Sequence, residues 1–460
     1  MNKNYLVIFL AITVLLFALA CGDNHNTDSE KDSSRRPKSG CSTDTSPVFS
    51  SAIPHEVDVA LQNGYAGLTP GDQPCFDVFS WKSFVALNWP ADTTGNPLPG
   101  NFNDNTSSNR VWEYYKDPSL VFQTMEYQLA FSGPNKISQS SKVFYQFTKV
   151  NNELIGIPPE ILEATGQPLI DKNLNFALYE IKMNPDEIHY IDSNKLNFKE
   201  GQEGKKINFP GGNKDSIGAM EIKATWKIMV PGVDDTTKFY CRRATIYVSG
   251  SQSANGNALY LTETVGLVGM HILHKTTNFP FWIWTTFEHI NNAPQQNNAG
   301  QKGNYSFFNA ACTSCQANIP PAAPSGGVYL WQATKPYAKT YATANIYGTQ
   351  AERIDTVYGP TEMVNKIWQG ALTKAGSVFA NYRLIGSQWS VRRDAPPFDT
   401  VAAPNNLANT TLETYLQKSS CTMTCHRFAT DAVGAGADFS FLLAHAKSAA
   451  MLEMIRKKKK

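Results

Sequence analysis

Near the C-terminus two cysteines and a histidine stand together, in the run Ser420-Cys421-Thr422-Met423-Thr424-Cys425-His426. Closely spaced thiols followed at once by an imidazole are the residue types that attach haem covalently. Each thiol adds to a vinyl group to give a thioether, and the adjacent imidazole binds the iron. The common form has two residues between the cysteines; three stand here, a rarer spacing. His426 is the informative part, because a disulfide or a zinc pair has no need of it. Two other readings stay open. Cys421 and Cys425 can pair as a disulfide in an oxidising compartment, or join Cys312-Thr313-Ser314-Cys315 in a four-thiolate zinc site. The leading expectation is one haem c, with Cys421 and Cys425 as tethers and His426 as the proximal iron ligand.

Haem iron takes a sixth ligand in most electron carriers, usually Met or His, and an open sixth position favours small-molecule chemistry instead. Beyond His426 the chain offers His445, Met451 and Met454; the body offers Met270, His271, His274 and His289. Any one of these histidines is more often a hydrogen-bonded structural residue than a ligand. Of the eight cysteines, Cys312 and Cys315 are spaced to pair locally, and Cys41 can pair with Cys75 or Cys241. One cysteine is left single.

The elements that must position this chemistry begin with an export signal. Lys3 precedes an uncharged, mostly apolar run from Leu6 to Ala20, shorter than the ~20 residues of a membrane-spanning helix. Such a run ending in small residues reads as a signal peptide over residues 1–20. Ala18-Leu19-Ala20-Cys21 resembles a lipobox, so Cys21 is expected to carry lipid and to anchor the chain to a membrane. Residues 21–47 are polar and read as a flexible tether. Asp does not directly follow Cys21, which points to outer-membrane sorting. The basic tail 456–460 is read as a solvated terminus, with contact to anionic lipid as the alternative.

The body, residues 48–405, is punctuated like a β-rich protein. Val143 to Phe147, Phe176 to Met183, Ala224 to Val230 and Phe239 to Val248 mix β-branched and aromatic residues between turn formers. Phe76 to Leu87, Thr361 to Lys374 and Thr411 to Gln417 read as helices, whereas Gly266 and Gly269 turn Val265 to Lys275 into a strand or bend. The expected fold class is α+β: a β-rich globular body, short helices at both ends, and a C-terminal helical haem-attachment segment over 406–455. Charged residues are 17% of the chain, aromatics 12% and the net charge +2, which argues against nucleic acid as a partner. Phosphate loops, zinc-protease motifs and nucleophile elbows are absent from the sequence.

Several stretches resemble a family of large bacterial envelope proteins known as cytochrome c-like. They include Phe79-Ser80-Trp81-Lys82-Ser83-Phe84, Val111-Trp112-Glu113, Val265 to Ile272, Trp282 to Pro294, and Ala408 to Tyr415 directly ahead of the cysteines. The resemblance implies a haem protein of the periplasm or outer-membrane surface and supplies no substrate. Within it, His271, Trp282, Trp284, Glu288 and His289 form the densest cluster. Either the cluster packs over the haem and tunes or ligates it, or its tryptophans are core; the second reading is favoured. The expected function is therefore a lipid-anchored c-type cytochrome that transfers electrons to a redox partner of unknown identity. A haem peroxidase or oxidase is the first alternative, and a haem-free, disulfide-bonded surface lipoprotein that binds a macromolecule is the second.

Overall fold

The computed structural model describes residues 47–59, 68–102, 108–122, 142–144, 167–296, 303–322, 329–338, 348–390, 406–419 and 421–457, with backbone alone at 70, 421, 423 and 455–457. Residues 1–20, Cys21 and nearly all of the tether lie outside the described residues. Among the described residues, no helix is long and apolar enough to cross a membrane.

Among the described residues, seven strands form one sheet: β1 (Val143–Phe144), β2 (Leu178–Met183), β3 (Met220–Ile228), β4 (Cys241–Val248), β5 (Leu259–His274), β6 (Ile283–His289) and β7 (Tyr382–Gln388). All pairings are antiparallel except β1 with β4. The fold is thus mixed α+β with the sheet prominent. Strand β5 organises it. Its C-terminal half pairs with β3 on one edge and with β6 on the other, while its N-terminal half pairs with β4 on the β6 side. The sheet therefore forks at Leu267 and Val268. Backbone groups at a fork lose their ladder partners, and buried ones must be satisfied otherwise. Here Tyr382 Oη donates to Leu267 O (2.8 Å) and Asn292 Nδ2 donates to Val268 O (2.7 Å).

Helix α1 (Gln73–Leu87) lies on one face of the sheet. It is buried on nearly every side, the pattern of a core helix rather than a surface one. Trp81 stacks on Trp368 and Phe84 on Phe287, with ring centroids 5.8 and 4.1 Å apart. Each such ring contributes ~1.5–3 kcal/mol through burial. Its polar residues fall on a stripe toward β6 and β7: Gln73 and Asp77 bond Ser387, and Ser80 bonds Thr285 and Ser387. Helix α2 (Pro185–Ser193) starts at an Asn184 cap that accepts from Glu187 N, a donor the helix cannot satisfy internally. Helix α3 (Gly359–Lys374) packs beside α1, and α4 (Ala449–Lys457) follows near the C-terminus.

Two of the expected helices are present, each longer by two or three residues at its start. The third is not: Thr411 to Gln417 is a run of turns. The reason is local competition. Asn409 Oδ1 takes Thr411 N and Oγ1, Glu413 Oε2 takes Asn409 N, and Thr414 Oγ1 bonds Thr410 O. Short polar side chains here satisfy the backbone in place of a continuing helical ladder. The expected strands are found at 178–183, 220–228 and 241–248; of 143–147 only 143–144 is described, and it is strand. Val265 to His274 is strand despite its glycines, which are there for clearance. A Cβ on Gly269 would collide with Thr411 Oγ1 and press Asn409 Oδ1 at 3.1 Å, so this position lets the turn segment lie directly on β5.

Candidate functional site

Residues opposite one another in a sheet share a face. Ile181, Lys223 and His271 are register partners across β2, β3 and β5; Glu221, Leu273 and Trp284 are partners across β3, β5 and β6. These two rows lie on the face away from α1. The chain from Leu407 to Leu442 passes over them and encloses a cavity of about 320 Å³. The floor is the two rows; the cover includes Glu413, Cys425, His426, Phe428, Phe441 and Leu442. Such a volume is at the small end of ligand sites.

The motif backbone winds as one wide π-type turn over Cys421–Cys425, then a 3-10 turn over His426–Phe428. An α-helix advances about 100° per residue, whereas a π-turn, with one more residue per turn, advances only about 80°. Four steps of the wider turn, from 421 to 425, reach nearly the same angle as three steps of an α-helix.

His426 Nδ1 lies 2.6 Å from Phe439 O. A carbonyl only accepts, so Nδ1 carries the proton. Burial pushes the His426 pKa down to about 4, against a smaller upward pull from that carbonyl. The ring is therefore neutral near pH 7, and its lone pair is on Nε2, which has no hydrogen-bond partner among the described residues. The ring sits 5.2 Å from Phe441 and 6.3 Å from Trp284, centroid to centroid. The turn that presents Phe439 O has two consecutive left-handed residues, Asp438 (φ 50°) and Phe439 (φ 68°). Each costs of order 1–3 kcal/mol. Asp438 is held in place by Lys275 Nζ (2.5 Å) and Phe209 N (2.7 Å).

His271 faces the cavity from the sheet. Its Nε2 lies 2.7 Å from Glu413 Oε1, and Glu413 Oε2 accepts from Asn409 N at 2.8 Å. Burial raises the Glu413 pKa, but His271 and Lys223 outweigh it and hold the group below the usual carboxylate range. Glu413 is thus a carboxylate, and His271 Nε2–H is the donor.

The other expected ligands are placed elsewhere. Met270 points to the opposite face, its sulfur 4.0 Å from Asn88 Nδ2. His274 donates through Nε2 to Ile217 O (2.6 Å) and stacks on Phe79. His289 uses both nitrogens, Nε2 with Lys238 O and Nδ1 with Asn291 N, and stacks on Phe239. His445 is buried beside Phe122; Met451 and Met454 are exposed on α4. Of the aromatic and acidic cluster, Trp284 lines the cavity, whereas Trp282 is core and donates to Asp438 O. Glu288 is a structural anchor: Arg353, Arg383 and Thr410 all bond it.

Cys425 lines the cavity and is half-buried, 3.8 Å from Thr424 Oγ1. Cys312 and Cys315 are joined by a disulfide, so their sulfurs are not available to a zinc site with Cys421 and Cys425. Cys75 is also disulfide-bonded, and Cys241 is a thiol that donates to Thr236 O. Among the described residues, no group of three or more His, Cys, Asp or Glu side chains is placed to hold a metal ion.

Sequence reasoning assigned no role to Lys223, Glu221, Glu413 or Phe439. For the first two a signal was present: Glu221, Lys223 and Thr225 alternate with Ile222, Ala224 and Trp226, a polar row on one face of a strand. Nothing local marked that row as covered. No family model matches the chain, and the searches of curated proteins and of solved structures also give no match.

Proposed function

We propose that the chain is a c-type cytochrome carrying one haem, tethered through Cys421 and Cys425 and ligated by His426 Nε2. The observation that carries this reading is the His426 Nδ1–H···O=C bond to Phe439. An imidazole that serves a metal has its other nitrogen fixed by a carbonyl or carboxylate, and here that bond leaves Nε2 with its lone pair at an apolar cavity shared with Cys425. Ile181, Leu273, Trp284, Leu407 and Phe441 supply apolar contact for a flat ring system. Phe428 and Leu416, which also line the cavity, are exposed. Bound haem supplies one-electron redox chemistry. The protein's residues exclude water, fix the proximal imidazole and present His271 from the facing wall. With the expected export signal and lipid on Cys21, this gives an envelope electron carrier anchored to a membrane, in the periplasm or at the outer membrane, working with a redox partner protein.

A second reading rests on Glu413. Because it holds His271 Nε2–H, His271 is equally placed as a hydrogen-bonding group beside an exchangeable position, as in a peroxidase-like or oxidase-like enzyme. Production with haem-maturation machinery separates these readings. A low-spin, six-coordinate spectrum supports the carrier and a high-spin one supports the enzyme. Replacing Cys421 and Cys425 together with Ala is expected to abolish covalent haem staining on a denaturing gel. Retained stain, or native material whose intact mass contains no porphyrin, would overturn the haem reading.

A further inference from the structure

Glu221, in one wall of the cavity, pairs with Glu187, which is not part of the lining, and haem attachment uses neither. Glu187, in the first turn of α2, and Glu221, near the start of β3, are 0% and 6% exposed. Their carboxyls meet each other. Neither oxygen of Glu187, nor Oε1 of Glu221, has a donor among the described residues. Two carboxylates are both acceptors, so a bond between them requires that one carry a proton. Ser440 is the remaining hydrogen-bond partner of Glu221. Glu221 itself borders the cavity.

The charged surroundings do not relieve the pair. From the C-terminal cover, Asp438 adds negative charge, and its cation, Lys275 at the end of β5, is already bonded to it at 2.5 Å. On α2, Asp186 is bonded by Ser216 and Gly218 N. Along the cavity floor stands Lys223, and beyond it His271, Glu413 and His426. Burial raises both carboxyl pKa values, and the mutual charge raises Glu187 further. Two buried like charges with Ser440 as donor to only one of them are costly, and such groups cluster at functional sites.

We propose that Glu187 and Glu221 form a proton site coupled to the redox state of the cavity. The pair holds one proton while the bound iron is ferric, and takes a second from solvent when one electron arrives from a one-electron donor. The electron goes to iron and the proton to the pair, so the net charge inside the protein does not change. In a low-dielectric interior this compensation favours reduction. The proposal rests on the haem reading and adds to it a role for residues outside the motif.

The test uses the full chain with haem attached. Its reduction potential is expected to fall as pH rises, approaching about 59 mV per pH unit for one proton per electron. Glu221→Gln and Glu187→Gln should each cut that slope by at least half, read on molecules that carry covalent haem. A flat wild-type profile, or a slope unchanged in both variants, would assign the proton elsewhere and overturn the proposal. The haem-free chain gives a separate readout: an infrared band of a protonated carboxyl at neutral pH, lost in either variant. Absence of that band overturns the shared proton even if haem is bound. Absence of haem overturns the coupling through failure of the haem reading, with the band still reporting the pair.

Discussion

Two sets of buried carboxyls in this molecule are opposites. Glu288 is 1% exposed and fully matched: Arg353 and Arg383 bracket it, and Thr410 donates from both N and Oγ1. Burial raises its pKa, but the two guanidinium groups and Thr410 bring it down to about 2. Glu187 and Glu221 are also buried, yet face each other with no cation bonded to either among the described residues. The first set fastens the 408–417 segment, which covers the cavity, to the sheet. The second does nothing comparable for the fold. Matched charge in an interior is an anchor, whereas unmatched charge is a cost that folding alone does not explain.

The contrast can be broken most sharply at Glu288. Glu288→Ala leaves two guanidinium groups beside an empty site, and a loss of ~3–5 kcal/mol is expected, read from urea or thermal unfolding. A loss below about 1 kcal/mol would show that the anchor is not what holds the cover.

The carboxyl pair should respond in the opposite sense. Its folded pKa values lie above the unfolded value, so its contribution is fully favourable below the ordinary Glu range and is lost as pH rises through the folded values. Glu221→Gln is therefore expected to stabilise the haem-free protein at alkaline pH, on the order of 1–3 kcal/mol, and to change little at acid pH. Glu288, with its pKa depressed, contributes above the unfolded value and loses that contribution only as pH falls through about 2. The gap between the unfolding midpoints of the two variants is expected to widen as pH rises through the pair's folded values and to narrow as pH falls toward 2; parallel curves would end the comparison. The smallest effect is Thr410→Ala, which removes one hydrogen bond of 2.7 Å to Glu288 Oε2 and should cost ~1–2 kcal/mol. An additive loss in the Glu288→Ala, Thr410→Ala double variant would show that the two do not act together.

Much of the sheet was legible in advance, because strands declare themselves through local alternation and turn residues. Three strand runs and two helices were read close to their observed spans. Strand β7 and helix α2 went unread. The residues at 411–417 have the local pattern of a helix but form turns, since the capping by Asn409 and Glu413 goes with close packing on Gly269, distant in sequence. In the site, His426 and Cys425 were legible from spacing alone. His271 was one of seven candidates, and only the fold separated it from the others by placing it on the cavity side of β5.

By itself, then, the sequence determined the chemistry-bearing motif and the local elements, because residue spacing and periodicity act within a few turns of chain. The tertiary structure decided what meets the motif. That His271, Glu413 and Glu221 border one cavity with Cys425 and His426 follows from strand register and from the return of the C-terminal segment over the sheet. Both are long-range burial outcomes, which no short window of sequence contains.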